Sequence, residues 1–372
     1  MESSSPKSVV PTWIVACLAS VVASAAAGGP SPEPSNPAID TDGAIRVPAF
    51  TIPMSPLVSQ KGKEAFMDRV EHPLPATPGD IAKTRRDIEE QFHGPLLRRL
   101  HDLFSVEISP QAIDGVPAEV IVPKQGVSAK NASRVLINLH GGGFSVAART
   151  GGEVESIPIA ALGRIQVVSV DYREGPENKF PAASEDVAKV YQALLKTYEP
   201  HSIGIYGCSA GGTLTTEVLA WFQAHHLPMP GAVGIFSAGG MADAWGDSLY
   251  IGATLTGDKP PPPAPSLPEY FSQADLRDPL VSPVFTPATL AKFPPSLVIT
   301  ATRDVALSDA VYTHTQLVKA GVDADLHVWE GMRHCFLYWP DPPESREAWQ
   351  VIVNFFDHHL AERTPSAQEH RN

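Results

Sequence analysis

Basic residues are scarce in this chain: 28 Lys and Arg stand against 41 Asp and Glu, a formal net charge of −13. Nucleic acid and anionic membrane surfaces both require a basic face, so neither is expected as a partner. Cysteine is scarcer, at positions 17, 208 and 335 only. No grouping of His, Cys, Asp or Glu has metal-ligand spacing, and the reading requires no metal and no other cofactor. No internal repeat is present, and the one long apolar run lies at the N-terminus.

That run, from Val9 to Ala27, follows Lys7 and ends in Ala23-Ser24-Ala25-Ala26-Ala27. It reads as an export signal over residues 1–27, with Ala-x-Ala cleavage sites. Pro11 interrupts it, so it barely reaches the ~20 residues that a membrane span needs. An uncleaved anchor, or a lipoprotein built on Ile14-Val15-Ala16-Cys17, is the alternative. The expectation is export to a periplasm or the exterior, with no membrane span left after processing. Cleavage would leave Cys208 and Cys335. Two buried, inert thiols are expected there, with pairing open to them in an oxidising compartment.

Hydrophobic residues make up 43% of the chain, enough for a sizeable core. Residues 28–60 are rich in Pro and Ser and read as a linker or arm. Residues 61–105 carry an amphipathic helical pattern from about Asp80 to Phe104, interrupted near Pro95. Short β segments then appear at 106–108 and 116–122, separated by Asp114-Gly115. Apolar strands at 134–139, 165–170, 202–206, 232–236, 296–300 and 323–328 follow. Helical patterns at 182–198, 210–225, 308–320 and 344–361 alternate with them. This order predicts an α/β fold, a mostly parallel doubly wound sheet over 106–363. The stretch 238–293, with Pro260-Pro261-Pro262-Pro263, is too long for a plain connection. It is expected to form a cap together with the N-terminal region. The tail from 364 to 372 is polar.

Two motifs sit where strands end: His140-Gly141-Gly142-Gly143-Phe144 and Gly207-Cys208-Ser209-Ala210-Gly211-Gly212. The second reads as strand, tight turn with a serine, then helix, which is a nucleophile elbow. The first offers backbone N–H groups from a glycine-rich loop, suited to an oxyanion hole. In open α/β sheets ligands bind at the carboxyl ends of strands, and the partners of such a serine follow in the order acid, then His. Ser209, Asp304 and His334 meet both conditions. Asp309 and Glu330 lie near Asp304 and His334, but Asp309 should fall inside the next helix. The expected oxyanion donors are the N–H groups of Gly141, Gly142 and Ala210. Phe144, Trp245, Tyr250 and Tyr338 are candidate pocket residues, and Trp339 is a further aromatic beside them.

These residues resemble the hormone-sensitive-lipase-like esterases, the bacterial family IV group of the α/β-hydrolase fold. The resemblance covers about 106–361. It rests on the two motifs with Asp171-Tyr172-Arg173, Pro176-Glu177, Phe180-Pro181-Ala182-Ala183, Glu185-Asp186 and Gly331 through Phe336. Two positions depart from the family pattern. Cys208 stands where the family usually has Asp, and Asp304-Val305-Ala306-Leu307-Ser308-Asp309 is one residue longer than its Asp-Pro-Leu-x-Asp. Gly115 through Val120 and Thr302-Arg303-Asp304 look nearer the monoterpene ε-lactone hydrolase branch. The resemblance implies a serine hydrolase of short- to medium-chain or cyclic esters acting on a small-molecule ester or lactone; a monomer or a homodimer is expected, the sequence leaving the choice open. A non-catalytic binding protein on the same fold, an amidase and a long-chain lipase are the competing readings; the presence of His334 argues against the first.

Overall fold

The structure, a computed structural model, describes residues 38–243, 246–257 and 267–361. The export segment, residues 28–37 of the arm, the tetraproline run, Trp245 and the C-terminal tail lie outside the described residues. The chain divides at Pro53 into two units. The described part of the first holds a two-stranded antiparallel hairpin, Ala38–Ile39 with Ile45–Arg46.

The second unit is built on an eight-stranded sheet: β1 (Val106–Ile113), β2 (Val116–Pro123), β3 (Val135–Leu139), β4 (Gln166–Val170), β5 (Ile203–Cys208), β6 (Ala232–Phe236), β7 (Ser296–Arg303) and β8 (Ala324–Arg333). Their spatial order is β8-β7-β6-β5-β3-β4-β2-β1. Strands β3 to β8 run parallel, while β2 joins β4 and β1 joins β2 in antiparallel pairs. All five residues of β3 and of β6 are buried, as strands covered on both faces must be. Alternate residues serve opposite faces. Ile137 and Ile205 pack with Val187, Leu214 and Val218, whereas Leu136 and Tyr206 pack with Ile157, Trp349 and Phe356. The predicted doubly wound sheet is therefore present, with strands β1, β7 and β8 longer than expected.

The helices before and around the sheet are α1 (Gln60–Glu71), α2 (Ile81–Asp87), α3 (Gly94–Leu103), α4 (Thr150–Gly163), α5 (Ala182–Leu194), α6 (Ala210–Ala224), α7 (Asp247–Leu255), α8 (Pro287–Leu290), α9 (Leu307–Lys319) and α10 (Pro343–His359). Ser59 caps α1 by accepting from the Gly62 N–H, and its own N–H and hydroxyl donate to Glu344 at 2.7 and 2.8 Å. That pair fastens the N-terminal helix to α10. The pattern from Asp80 to Phe104 does form helix, but Pro95 does not break it. A π-helical turn, Ile88–His93, separates α2 from α3, and Pro95 falls in the first turn of α3, where a missing N–H is least costly.

Helix α4 has no counterpart in the sequence reading. It is buried from Thr150 to Ala160, so it shows no polar stripe, and Gly151, Gly152 and Pro158 lower its helical signal. The 238–293 stretch is also less irregular than expected: α7, α8 and two short 3₁₀ turns lie within it. Among the described residues no helix is long and apolar enough to cross a membrane.

Candidate active site

Strand β5 ends at Cys208, α6 starts at Ala210, and the residue between them carries the strain of the turn. Ser209 has φ 57° and ψ −123°, a conformation that non-glycine residues rarely adopt. Its N–H is held by the Phe236 carbonyl at 2.8 Å, and its carbonyl accepts from the Thr213 N–H at 3.0 Å. The flanking glycines are required by space. A Cβ on Gly207 would lie 2.2 Å from the Leu139 oxygen, and one on Gly211 only 1.7 Å from it.

His334 follows the end of β8, one strand beyond the loop that carries Asp304. The Gly331 N–H donates to Thr302 Oγ1 at 2.7 Å, which fixes the approach of that segment. His334 Nε2 lies 2.9 Å from Ser209 Oγ, and its Nδ1 lies 2.7 Å from Asp304 Oδ1. The acid expected from sequence order is thus the one that meets the histidine. Asp304 is fully buried. Its Oδ1 also accepts from the Ala306 N–H at 2.8 Å, and Oδ2 accepts from Thr300 Oγ1 at 3.0 Å. Burial alone would push this carboxyl up, but the charge and hydrogen bond of His334, with the other donors, hold it below the ordinary range. It is ionised at neutral pH. Asp309 lies in the first turn of α9 and accepts from Thr313, and Glu330 is exposed on β8; neither bonds to His334.

Cys208 and Cys335 are disulfide-bonded, with Cα atoms 6.3 Å apart and 127 residues between them in sequence. This corrects the expectation of two inert thiols. Both are buried, at 1% and 5% exposure, and the elbow and the histidine loop come close enough to bond.

The glycine loop after β3 turns through Gly142 at φ 114°, Gly143 at φ 60° and Phe144 at φ 56°. A Cβ on Gly142 would fall 1.9 Å from the Val146 oxygen, so this reversal needs glycine. One of the expected oxyanion donors is corrected here. The Gly141 N–H donates to Glu155 Oε1 at 2.9 Å, so it is already spent. Among the described residues no acceptor takes the N–H groups of Gly142, Gly143 or Ala210. His140 itself is structural. It is fully buried, stacked on Tyr172 at 4.3 Å, and burial pushes it down to about 4, so it stays neutral.

Ser209 and His334 stand between two cavities. The larger, about 340 Å³, is lined by Ile88, Phe92, Tyr338 and Trp339 besides the glycine loop. The smaller, about 230 Å³, is lined by Phe144, Met241, Leu249 and Phe271. Tyr338 and Phe144 therefore line cavities as expected, as does Trp339. Tyr250 lines neither, since Leu249 is the α7 residue turned inward, and Trp245 lies outside the described residues. Ile88 and Phe92 lie in the N-terminal helical segment expected to contribute to the cap; which of its side chains line the cavity was not legible from the helical pattern.

Residues 136–338 match a family model described as the alpha/beta hydrolase fold. An acetyl-hydrolase from Streptomyces hygroscopicus is 28% identical over 236 residues, 61% of this chain and 76% of that protein. An esterase from Acinetobacter venetianus is 26% identical over 70% of this chain and 86% of its own. Among solved structures, esterase E25 superposes with a TM-score of 0.72 at 29% identity, covering 85% of this chain and 99% of its own. An esterase from the bacterial hormone-sensitive lipase family gives 0.69 at 26% identity, covering 82% and 99%. With this sheet, this elbow and these relatives, the chain belongs to the α/β-hydrolase fold family, as a carboxylesterase of its hormone-sensitive-lipase-like group.

Proposed function

We propose that this protein cleaves short- to medium-chain or cyclic esters through an acyl-enzyme intermediate on Ser209. The observation that carries the reading is the continuous hydrogen-bonded chain from Ser209 Oγ through His334 to buried Asp304, placed where two cavities meet. His334 takes the hydroxyl proton as Ser209 attacks the ester carbonyl, and Asp304 orients the ring and stabilises its charged form. The N–H groups of Gly142, Gly143 and Ala210 receive the developing oxyanion. His334 then gives its proton to the leaving alcohol, and water, activated the same way, releases the acid and frees Ser209. In a lactone the leaving alcohol stays tethered to the acyl group, and the same steps open the ring.

Two cavities on either side of the serine suit an ester, whose acyl and alcohol parts leave in opposite directions. Their sizes, together with relatives named acetyl-hydrolases, support small acyl groups rather than long lipid chains. Export is part of the proposal, supported by the N-terminal apolar run and by a disulfide, which persists in oxidising compartments.

Hydrolysis of p-nitrophenyl acetate, butyrate, octanoate and palmitate, and of ε-caprolactone, tests this beside the Ser209→Ala variant. Loss of the nucleophile is expected to lower turnover ~10⁴-fold or more. Full activity in that variant would remove Ser209 from the mechanism. A palmitate optimum would overturn the short-chain reading.

A further inference from the structure

Four hydrogen-bond donors from separate parts of the site converge on one carboxylate that lines neither of its cavities. Glu155 lies in the second turn of α4. Its Oε1 accepts from the Gly141 N–H at 2.9 Å and from the Tyr338 hydroxyl at 2.6 Å. Its Oε2 accepts from Asn138 Nδ2 at 2.8 Å and from the Cys208 N–H at 3.2 Å. Gly141 opens the glycine loop, Cys208 precedes the nucleophile, and Tyr338 closes the turn after His334. Asn138 belongs to β3 and accepts in turn from Ser169 Oγ of β4 at 3.0 Å, which anchors the cluster to the sheet.

We propose that Glu155 is a positioning residue of this active site, whose carboxylate sets the glycine loop, the nucleophile elbow and the histidine loop in register with one another. The proposal rests on the serine-esterase reading above. Its geometric core is the Gly141 peptide. With that N–H bonded to Glu155, the chain reverses at Gly142 and Gly143, and among the described residues the next two N–H groups, like that of Ala210, have no acceptor. The Tyr338 hydroxyl sits directly beneath the loop: a Cβ on Gly141 would lie 2.6 Å from it and 3.0 Å from the Cys208 oxygen. The loop can be drawn this tightly onto the elbow only with glycine at 141.

The chemistry of the partners explains why the position holds an acid. All four groups are donors, and an ionised carboxyl is the side chain that accepts at two oxygens and donates nothing. Retaining it is costly. Glu155 is buried, and burial pushes its carboxyl up to about 7 against the pull of those four hydrogen bonds. The ionisable groups that face it are tyrosines, Tyr338, Tyr172 and Tyr206, and among the described residues no cation offsets the burial. A buried acid held by four donors at this junction serves geometry rather than stability.

The test is steady-state hydrolysis of p-nitrophenyl butyrate by the wild type, Glu155→Gln and Tyr338→Phe. Each kcat is divided by the number of serines titrated with a fluorophosphonate. The amide of Glu155→Gln can serve only one of the two donor pairs. Removal of a whole oxyanion donor costs ~10²–10³-fold in kcat, so a displaced loop should cost roughly 10- to 100-fold per reactive serine with KM nearly unchanged. Tyr338→Phe removes one of four bonds and should show a smaller fall in the same quantity. If Glu155→Gln does not accumulate as folded protein, Tyr338→Phe decides alone. Unchanged kcat per reactive serine, or a loss seen wholly as fewer reactive serines, would overturn the positioning role. A wild type that the probe does not label at Ser209 would instead overturn the serine mechanism beneath it.

Discussion

Cys208 and Cys335 are joined by a disulfide, so Ser209 and His334 each stand one residue from the same covalent bond. The hydrogen bond between the serine and the histidine is thereby backed by a link that closes 127 residues of chain. In the chain-entropy account a loop of about 100 residues restricts the unfolded state by roughly 4.7 kcal/mol. At about 2.1 cal/mol/K of unfolding entropy per residue, a unit spanning Met54–Asn372 shifts by roughly 1.5 °C per kcal/mol, so Cys208→Ala/Cys335→Ala should melt about 7 °C below the wild type. Dithiothreitol should lower the wild-type melting temperature in the same direction. Differential scanning fluorimetry checks both, and a double variant that melts with the wild type would remove the bond from the stability of the fold.

Asp304 is held below the ordinary carboxylate range and touches His334 through Oδ1. Asp304→Asn keeps the shape but offers the imidazole an amide, which no longer fixes the tautomer that His334 needs as a base. A serine protease with the equivalent change loses ~10⁴-fold in kcat, and a similar loss is expected here with KM little altered. Retained turnover in this variant would mean that another group orients His334.

The sheet, the order of Ser209, Asp304 and His334, and the two glycine motifs were legible because each is local or depends only on chain order. What escaped depends on packing between distant segments. Glu155 gathers partners up to 183 residues away, on a helix whose burial from Thr150 to Ala160 erased the amphipathic signal. The choice between Gly141 and Gly143 as oxyanion donor is a matter of peptide orientation, which three consecutive glycines do not reveal. The disulfide was geometrically conceivable, but residue types alone cannot tell a bonded pair from two buried thiols. Tyr250 failed as a pocket residue because one step along α7 turns a side chain away, and Leu249 took the inward place.

Two glycines of the site should respond in opposite ways to alanine. At Gly211 a Cβ would meet backbone atoms of Leu139 and His140, the nearest at 1.7 Å, and neither strand nor elbow can yield. Gly211→Ala is expected to prevent accumulation of folded protein. At Gly143 nothing lies within 4 Å, and only the positive φ of 60° opposes a side chain. That conformation costs roughly 1–2 kcal/mol in an L-residue, so Gly143→Ala should remain folded and melt only a few degrees lower. Soluble yield and thermal melting of the two variants give the comparison; a stable Gly211→Ala protein would refute the space argument for the elbow.

Asp309 gives the fold a pH dependence whose sign follows from its burial. The carboxyl is fully enclosed, its Oδ2 has no hydrogen-bond partner among the described residues, and burial raises it from 3.8 to about 8. Below about pH 4 it is protonated in both folded and unfolded chains, and its contribution to stability is fully present. As pH rises toward 8 the unfolded chain releases the proton while the folded protein still holds it, and that contribution is progressively lost. Glu155, Glu119 and Glu174 are shifted upward as well and act with the same sign. Asp309→Asn has no proton to release and can still accept from Thr313 through its amide oxygen. Its melting temperature should therefore fall less between pH 5 and pH 8 than that of the wild type. The remaining slope is left to the other acids. Calorimetric melts at one-unit intervals across that range measure the difference, and parallel curves for the two proteins would show that Asp309 is already ionised in the folded state.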